Sequence, residues 1–111
     1  MNHKAIYNTH PSVKRIADVD GGVIAYDANG NEVTLDAAAV ASETTSITNA
    51  RNLAALRAKR DRLLAATDWE IVRHKELGTN IPTALKTYRQ ELRDLPANTS
   101  DLANPSWPNK P

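Results

Sequence analysis

The hydrophobic positions change their spacing near residue 36. Before it, apolar residues come in short runs, Ala5–Tyr7, Val13–Ile16, Val23–Tyr26 and Glu32–Leu35, separated by turn chemistry. Pro11-Ser12 breaks the first pair, and Asp20-Gly21-Gly22 and Asn29-Gly30 supply residues that accept the positive φ of tight hairpins. The pattern predicts a three- or four-stranded antiparallel meander, with Val33 and Leu35 on one face and Glu32 and Thr34 on the other. So small a sheet cannot bury both faces, so one side must pack on a helix or a partner.

After residue 36 the spacing becomes helical. Asp36 is placed to cap a short helix through Ala37–Ala41. Ser42–Ser46 reads as a joint, with Thr45 or Ser46 as a fresh N-cap for a helix from Ile47 to Ala66. Leu53, Leu56, Leu63 and Leu64 fall on one stripe of that helix, with Ala50 and Ala54 above them. Arg60 interrupts the heptad, which points to a partner-facing stripe rather than a long autonomous coiled coil. Thr67-Asp68-Trp69-Glu70 has the form of a capping box and predicts a restart that ends at Gly78. Pro82 suits the N1 position of a last helix, along which Ile81, Leu85, Tyr88, Leu92 and Leu95 recur at steps of four and three. Pro96 is the expected stop. The remainder, with Pro105, Pro108 and Pro111 around Trp107, is too rich in proline for helix and is expected to be extended.

The fold class is therefore α+β: a small N-terminal antiparallel β meander, a helical hairpin-like unit and an extended Pro/Trp tail. As domains, residues 1–45 form a small β module with a short helix, 46–96 the helical unit, and 97–111 the tail.

Composition thins this picture rather than changing it. Aromatic residues make up 5% of the chain, with no Phe, so the core must come from Leu, Ile, Val and Ala. A core so rich in Ala points to self-association, as a homo-oligomer, or to a partner that supplies part of the stability. Fourteen basic and 13 acidic residues leave a net charge of +1, without the basic excess usual in nucleic-acid binders. No apolar run approaches the roughly 20 residues of a membrane span, and Met1-Asn2-His3-Lys4 opens no signal-peptide core. With no cysteine there is no disulfide, thiolate metal site or Cys nucleophile. A soluble protein made in a cytoplasm is the plain expectation.

Candidate chemistry is sparse. Asp27-Ala28-Asn29-Gly30-Asn31 opens like a calcium loop, but Glu32 stands where the loop glycine belongs and Ala38 where the bidentate acid belongs. A hairpin turn is the better reading. His3, His10 and His74 have no spacing that gathers carboxylates around them, and solvated imidazoles are expected. No nucleophile-elbow serine and no phosphate-cradling glycine loop occurs. No catalytic residue, metal ligand or cofactor site is expected, and the chain reads as no enzyme. Arg51, Arg57, Lys59, Arg60 and Arg62 make one local basic excess. Arg57 and Asp61 stand at i,i+4, and no aromatics are interleaved for base stacking, so a nucleic-acid face is disfavoured. Trp69 follows the expected helix cap and could staple two helices. Trp107 either folds back onto Tyr88 and Trp69 or anchors in another protein's pocket.

A family pattern runs through the same residues. Arg60-Asp61-Arg62-Leu63-Leu64, Thr67-Asp68-Trp69, Arg73, Glu76, Gly78 and Pro82, then Tyr88-Arg89-Gln90 and Leu92-Arg93-Asp94-Leu95-Pro96, resemble the phage tail assembly chaperone-like domain of tail fibre assembly proteins. Pro105-Ser106-Trp107-Pro108 is similar to the Trp-Pro ending of such chains, so the resemblance spans residues 60–108. Lys4–Asp36 is similar to β modules that precede this domain in phage proteins. Where many relatives follow Thr-Asp-Trp with a proline-containing loop, Glu70–Leu77 here reads as helix. The resemblance implies a non-enzymatic protein that binds a tail fibre or baseplate protein, in the infected host cytoplasm or on the virion tail. It leaves open whether such a chain is an assembly factor or a permanent component of the virion. Trp69, Tyr88, Trp107, Leu56, Leu63, Leu85 and Leu92 are the candidates for scaffold or partner contact. On this reading Trp69 and Tyr88 pin the helical unit, and the Trp107 tail is the better candidate for contact.

Overall fold

A computed structural model describes Met1–Pro111, which divide into two compact units, Met1–Ala50 and Arg51–Pro111. The elements run α1 (His3–Thr9), β1 (Arg15–Val19), β2 (Gly22–Tyr26), β3 (Glu32–Val33), α2 (Ala37–Leu77) and α3 (Thr83–Asn98). The class is α+β, with a three-stranded antiparallel sheet in the order β1-β2-β3 ahead of the long helices.

In the first unit, the run Ala5–Tyr7 is helix rather than strand. The Asn2 side chain accepts a hydrogen bond from the Ala5 N–H at 3.0 Å and caps α1. The Thr9 hydroxyl closes the other end on the Ala5 carbonyl at 2.7 Å. Three apolar residues are too few to reveal a period, and the cap decides the conformation. The expected strand at Val13–Ile16 begins instead at Arg15 and runs to Val19, where Asp20-Gly21 makes a two-residue turn into Gly22. Gly21, the second of the two turn residues, has φ 86°, a left-handed conformation that glycine adopts without strain. The second hairpin closes through Asp27, whose carboxylate accepts the N–H groups of Asn29 and Asn31, each at 2.9 Å. That carboxylate is thus a turn former, as the hairpin reading holds. β3 covers only Glu32–Val33 rather than reaching Leu35, though Val33 and Leu35 both pack on the core. Ala5, Ile6, Val13, Ala25 and Val40 form that core, flanked by Ile16, Val23 and Ile47. One face of the sheet is thereby covered by α1 and the start of α2.

Asp36 caps α2 as its position suggests, accepting from the Ala39 N–H at 3.1 Å. From there the helix runs 41 residues without a break, so neither the joint at Ser42–Ser46 nor the restart at Thr67 exists. The hydroxyls of Thr44 and Thr45 donate back to the carbonyls of Val40 and Ala41, at 2.8 and 3.2 Å, and so need no helix end. No Gly or Pro interrupts the span. Gly78, at φ 68°, ends the helix in a Schellman arrangement, with the Thr79 N–H on the His74 carbonyl at 3.0 Å.

In the second unit, Pro82 is the N-cap of α3 rather than its first residue, and its carbonyl accepts from the N–H groups of Leu85 and Lys86, each at 3.1 Å. α3 also passes through Pro96 to Asn98 instead of stopping there. A proline near a helix end loses only one backbone bond, and its fixed φ is already helical. After α3 the chain turns at Asp101, whose carboxylate accepts from the Ala103 N–H at 3.1 Å.

Candidate partner-binding site

The second unit is organised by α3, whose apolar positions form one stripe. Leu85, Tyr88 and Leu92 are buried, and Leu63, Leu64, Ile71, Ile81 and Trp107 pack around them. Leu56 is also buried, and it borders a groove with Lys59, Leu102, Pro105 and Trp107. Tyr88 thus lies in the apolar cluster and Trp69 does not: Trp69 is 58% exposed. The cause is the continuity of α2. With no restart at Thr67 the phase advances about 100° per residue, so Thr67 and Ile71 turn inward and Trp69 turns out.

The pin that sequence reasoning missed is Arg89. Its guanidinium donates to the Leu64 carbonyl at 2.8 Å, to the Thr67 hydroxyl at 2.6 Å and to Asp68 at 2.8 Å. Thr67 is 1% exposed, and its hydroxyl donates onward to the Leu64 carbonyl at 3.1 Å. A buried hydroxyl and a helix carbonyl are thereby satisfied by a planar donor fork, a task suited to Arg and not to Lys. The Thr-Asp pair read as a helix cap is in fact the receptor for this side chain. The available signal was the pairing of Thr67-Asp68 with Tyr88-Arg89 in one family pattern.

Trp107 folds back within its own unit. Its ring joins the Leu85–Leu92 cluster, and the Lys59 ammonium stands 4.5 Å from the ring centroid. Lys110 approaches Glu70 at 3.9 Å, so a second charge accompanies the tail. Of the basic run, Lys59 therefore serves the tail. Arg60 pairs with Asp61 at 3.0 Å, in place of the Arg57–Asp61 pair that spacing suggested.

Beside the Arg89 clamp lies an open cleft. Ile71 and Ile81 contribute apolar surface, while Lys86, Arg89 and Arg93 stand along it with Thr87 and Gln90. Lys86, Arg89 and Arg93 recur at steps of three and four, which aligns them on one side of α3. Arg93 donates two bonds to the side-chain amide oxygen Oε1 of Gln90, at 3.3 and 2.9 Å. Lys86 and Arg93 make no ion pair within the chain. The cleft thus sets cationic donors beside apolar surface. The three histidines lie elsewhere, each hydrogen-bonded, His3 to Asp18, His10 to Thr9 and the Asp36 N–H, and His74 to Thr79. No group of three or more His, Asp or Glu side chains gathers at one point.

Residues 53–111, more than half of the chain and all of α3, match the family described as phage tail assembly chaperone protein. The chain belongs to that family. The matched segment contains the Thr67–Arg89 clamp, the basic cleft and the Trp107 tail, so the chaperone-family region is nearly the whole second unit. No curated protein and no solved structure matches the chain. Membership assigns a role in tail assembly through interaction with phage tail proteins. No helix is long and apolar enough to cross a membrane.

Proposed function

We propose that this chaperone-family protein is a non-enzymatic tail assembly factor that binds a tail fibre or baseplate protein through the cleft between Ile81 and Arg93. The observation that carries this reading is one cleft lined by two cations without an ion pair, Lys86 and Arg93, together with Ile71 and Ile81. Such a surface fits an acidic segment that carries one aliphatic or aromatic anchor. Arg89 anchors the far wall through Thr67 and Asp68, which keeps the cleft preorganised and lowers the ordering cost of binding. Because Trp107 is engaged within its own unit, the tail serves as packing, and contact with the partner passes to the cleft.

Binding to the purified fibre and baseplate proteins of the same phage tests this. Wild-type protein is expected to bind one of them, with affinity that falls as salt rises. Lys86→Glu/Arg93→Glu is expected to weaken that binding about 100-fold or more while the helical content is kept. Equal affinity for the charge-reversed protein would remove the cleft from the account. The factor acts in the infected cell. Recovery of the chain from salt-washed virions marks it as a component that stays on the tail, and its absence there marks it as released after assembly.

A further inference from the structure

The side of α2 away from α3 carries an exposed stripe with no neighbour in its own unit. Trp69 is 58% exposed and Val72 53% exposed, an unusual surface position for a tryptophan. Both lie on a heptad line, with Ala65 one turn before Trp69. Arg62 and Glu76 stand on the same line, each seven residues from Trp69, one on either side. Neither forms an ion pair or a side-chain hydrogen bond within the chain. Among the acids nearby, Asp61 is taken by Arg60 and Asp68 by Arg89, so these two long side chains are the free charges of the stripe.

This arrangement is complementary to itself. A second α2 laid antiparallel about a twofold axis near Trp69 places Arg62 of one copy within reach of Glu76 of the other, twice. In that register the two indoles meet at the axis, and Val72 packs against the small Ala66 of the opposing helix. A parallel pairing in register would instead set Arg62 against Arg62 and Glu76 against Glu76. The charge order therefore selects the antiparallel orientation.

We propose that a second copy of this chain covers the Trp69–Val72 stripe, forming an antiparallel, twofold-symmetric helix pair closed at each end by Arg62 and Glu76. The pair uses the side of α2 opposite Ile71 and the basic cleft, so both cleft sites stay open in the dimer. The inference does not depend on what the cleft binds.

Sedimentation equilibrium of the full chain, run over a concentration series at low and high salt, tests it. Wild-type protein is expected to dimerise reversibly, more weakly at high salt. Trp69→Ala is expected to weaken association about 100-fold with unchanged helical circular dichroism, since the side chain is exposed in the single chain. Arg62→Glu and Glu76→Arg are each expected to weaken it about ten-fold or more, and the double variant R62E/E76R to recover wild-type affinity. A wild-type chain that stays monomeric at concentrations of about 100 μM would overturn the proposal. So would a dimer indifferent to Trp69→Ala, or single charge variants that the double variant does not rescue. None of these outcomes touches the binding of a tail protein by Lys86 and Arg93, which is read in a separate assay.

Discussion

At the scale of single residues, Arg89 ties α3 to α2 through polar contacts that the apolar cluster does not supply. Its three bonds close on a buried hydroxyl, a helix carbonyl and an exposed carboxylate, so its loss leaves the Thr67 hydroxyl without its buried donor. Arg89→Ala is expected to cost about 2 kcal/mol, read as a lower midpoint of thermal unfolding. Arg89→Lys should recover only a fraction, because a point charge cannot satisfy three acceptors arranged around a plane. Full recovery by lysine would show that charge alone matters. Of the two tryptophans, Trp107 folds back onto the cluster, one of the two readings its sequence context left open, while Trp69 stands exposed. Trp107, half-buried on the Leu85–Leu92 cluster and under Lys59, is expected to cost about 2 kcal/mol on truncation to alanine. Trp69→Ala, measured where the chain is monomeric, is expected to stay within about 0.5 kcal/mol of wild type. Equal losses would contradict the placement of one ring inside and the other out.

At the scale of elements, the sheet ahead of the long helices, both hairpin turns, the Asp36 cap and the Gly78 stop were legible, whereas α1 was not, because three apolar residues carry no period and its cap lies outside them. The α3 stripe was legible because a period of 3.6 repeats several times between Ile81 and Leu95. α2 was harder to read. The apolar positions at its two ends do not continue one stripe, and Thr and Ser within a helix look the same in sequence as Thr and Ser that cap one. Their hydroxyls settle on carbonyls three or four residues back, a choice that only the assembled helix exposes. Thr45→Ala separates the two readings. In an unbroken helix the exchange is expected to stabilise by about 0.5 kcal/mol, through propensity. At a helix start it would instead cost about 1 kcal/mol, through the lost cap. Urea unfolding followed by circular dichroism measures the sign. For the candidate site, the apolar members Leu85, Tyr88 and Leu92 were readable from spacing. The Arg89 clamp was not, since Thr67-Asp68 and Arg89 are more than twenty residues apart and nothing local ties them.

At the scale of the molecule, a family match over residues 53–111 and a braced helical unit with a basic cleft point to the same kind of work. That work is interaction with phage tail proteins. Lys86 and Arg93 carry the proposed contact, and the clamp keeps their helix in place. Electron microscopy of particles made by a phage that lacks this chain, complemented by wild-type or Lys86→Glu/Arg93→Glu protein, tests whether the cleft serves tail assembly. Particles are expected to have incomplete tails in its absence, complete tails with wild-type protein, and incomplete tails again with the charge-reversed protein. Complete tails without the chain, or full rescue by the charge-reversed protein, would contradict that role.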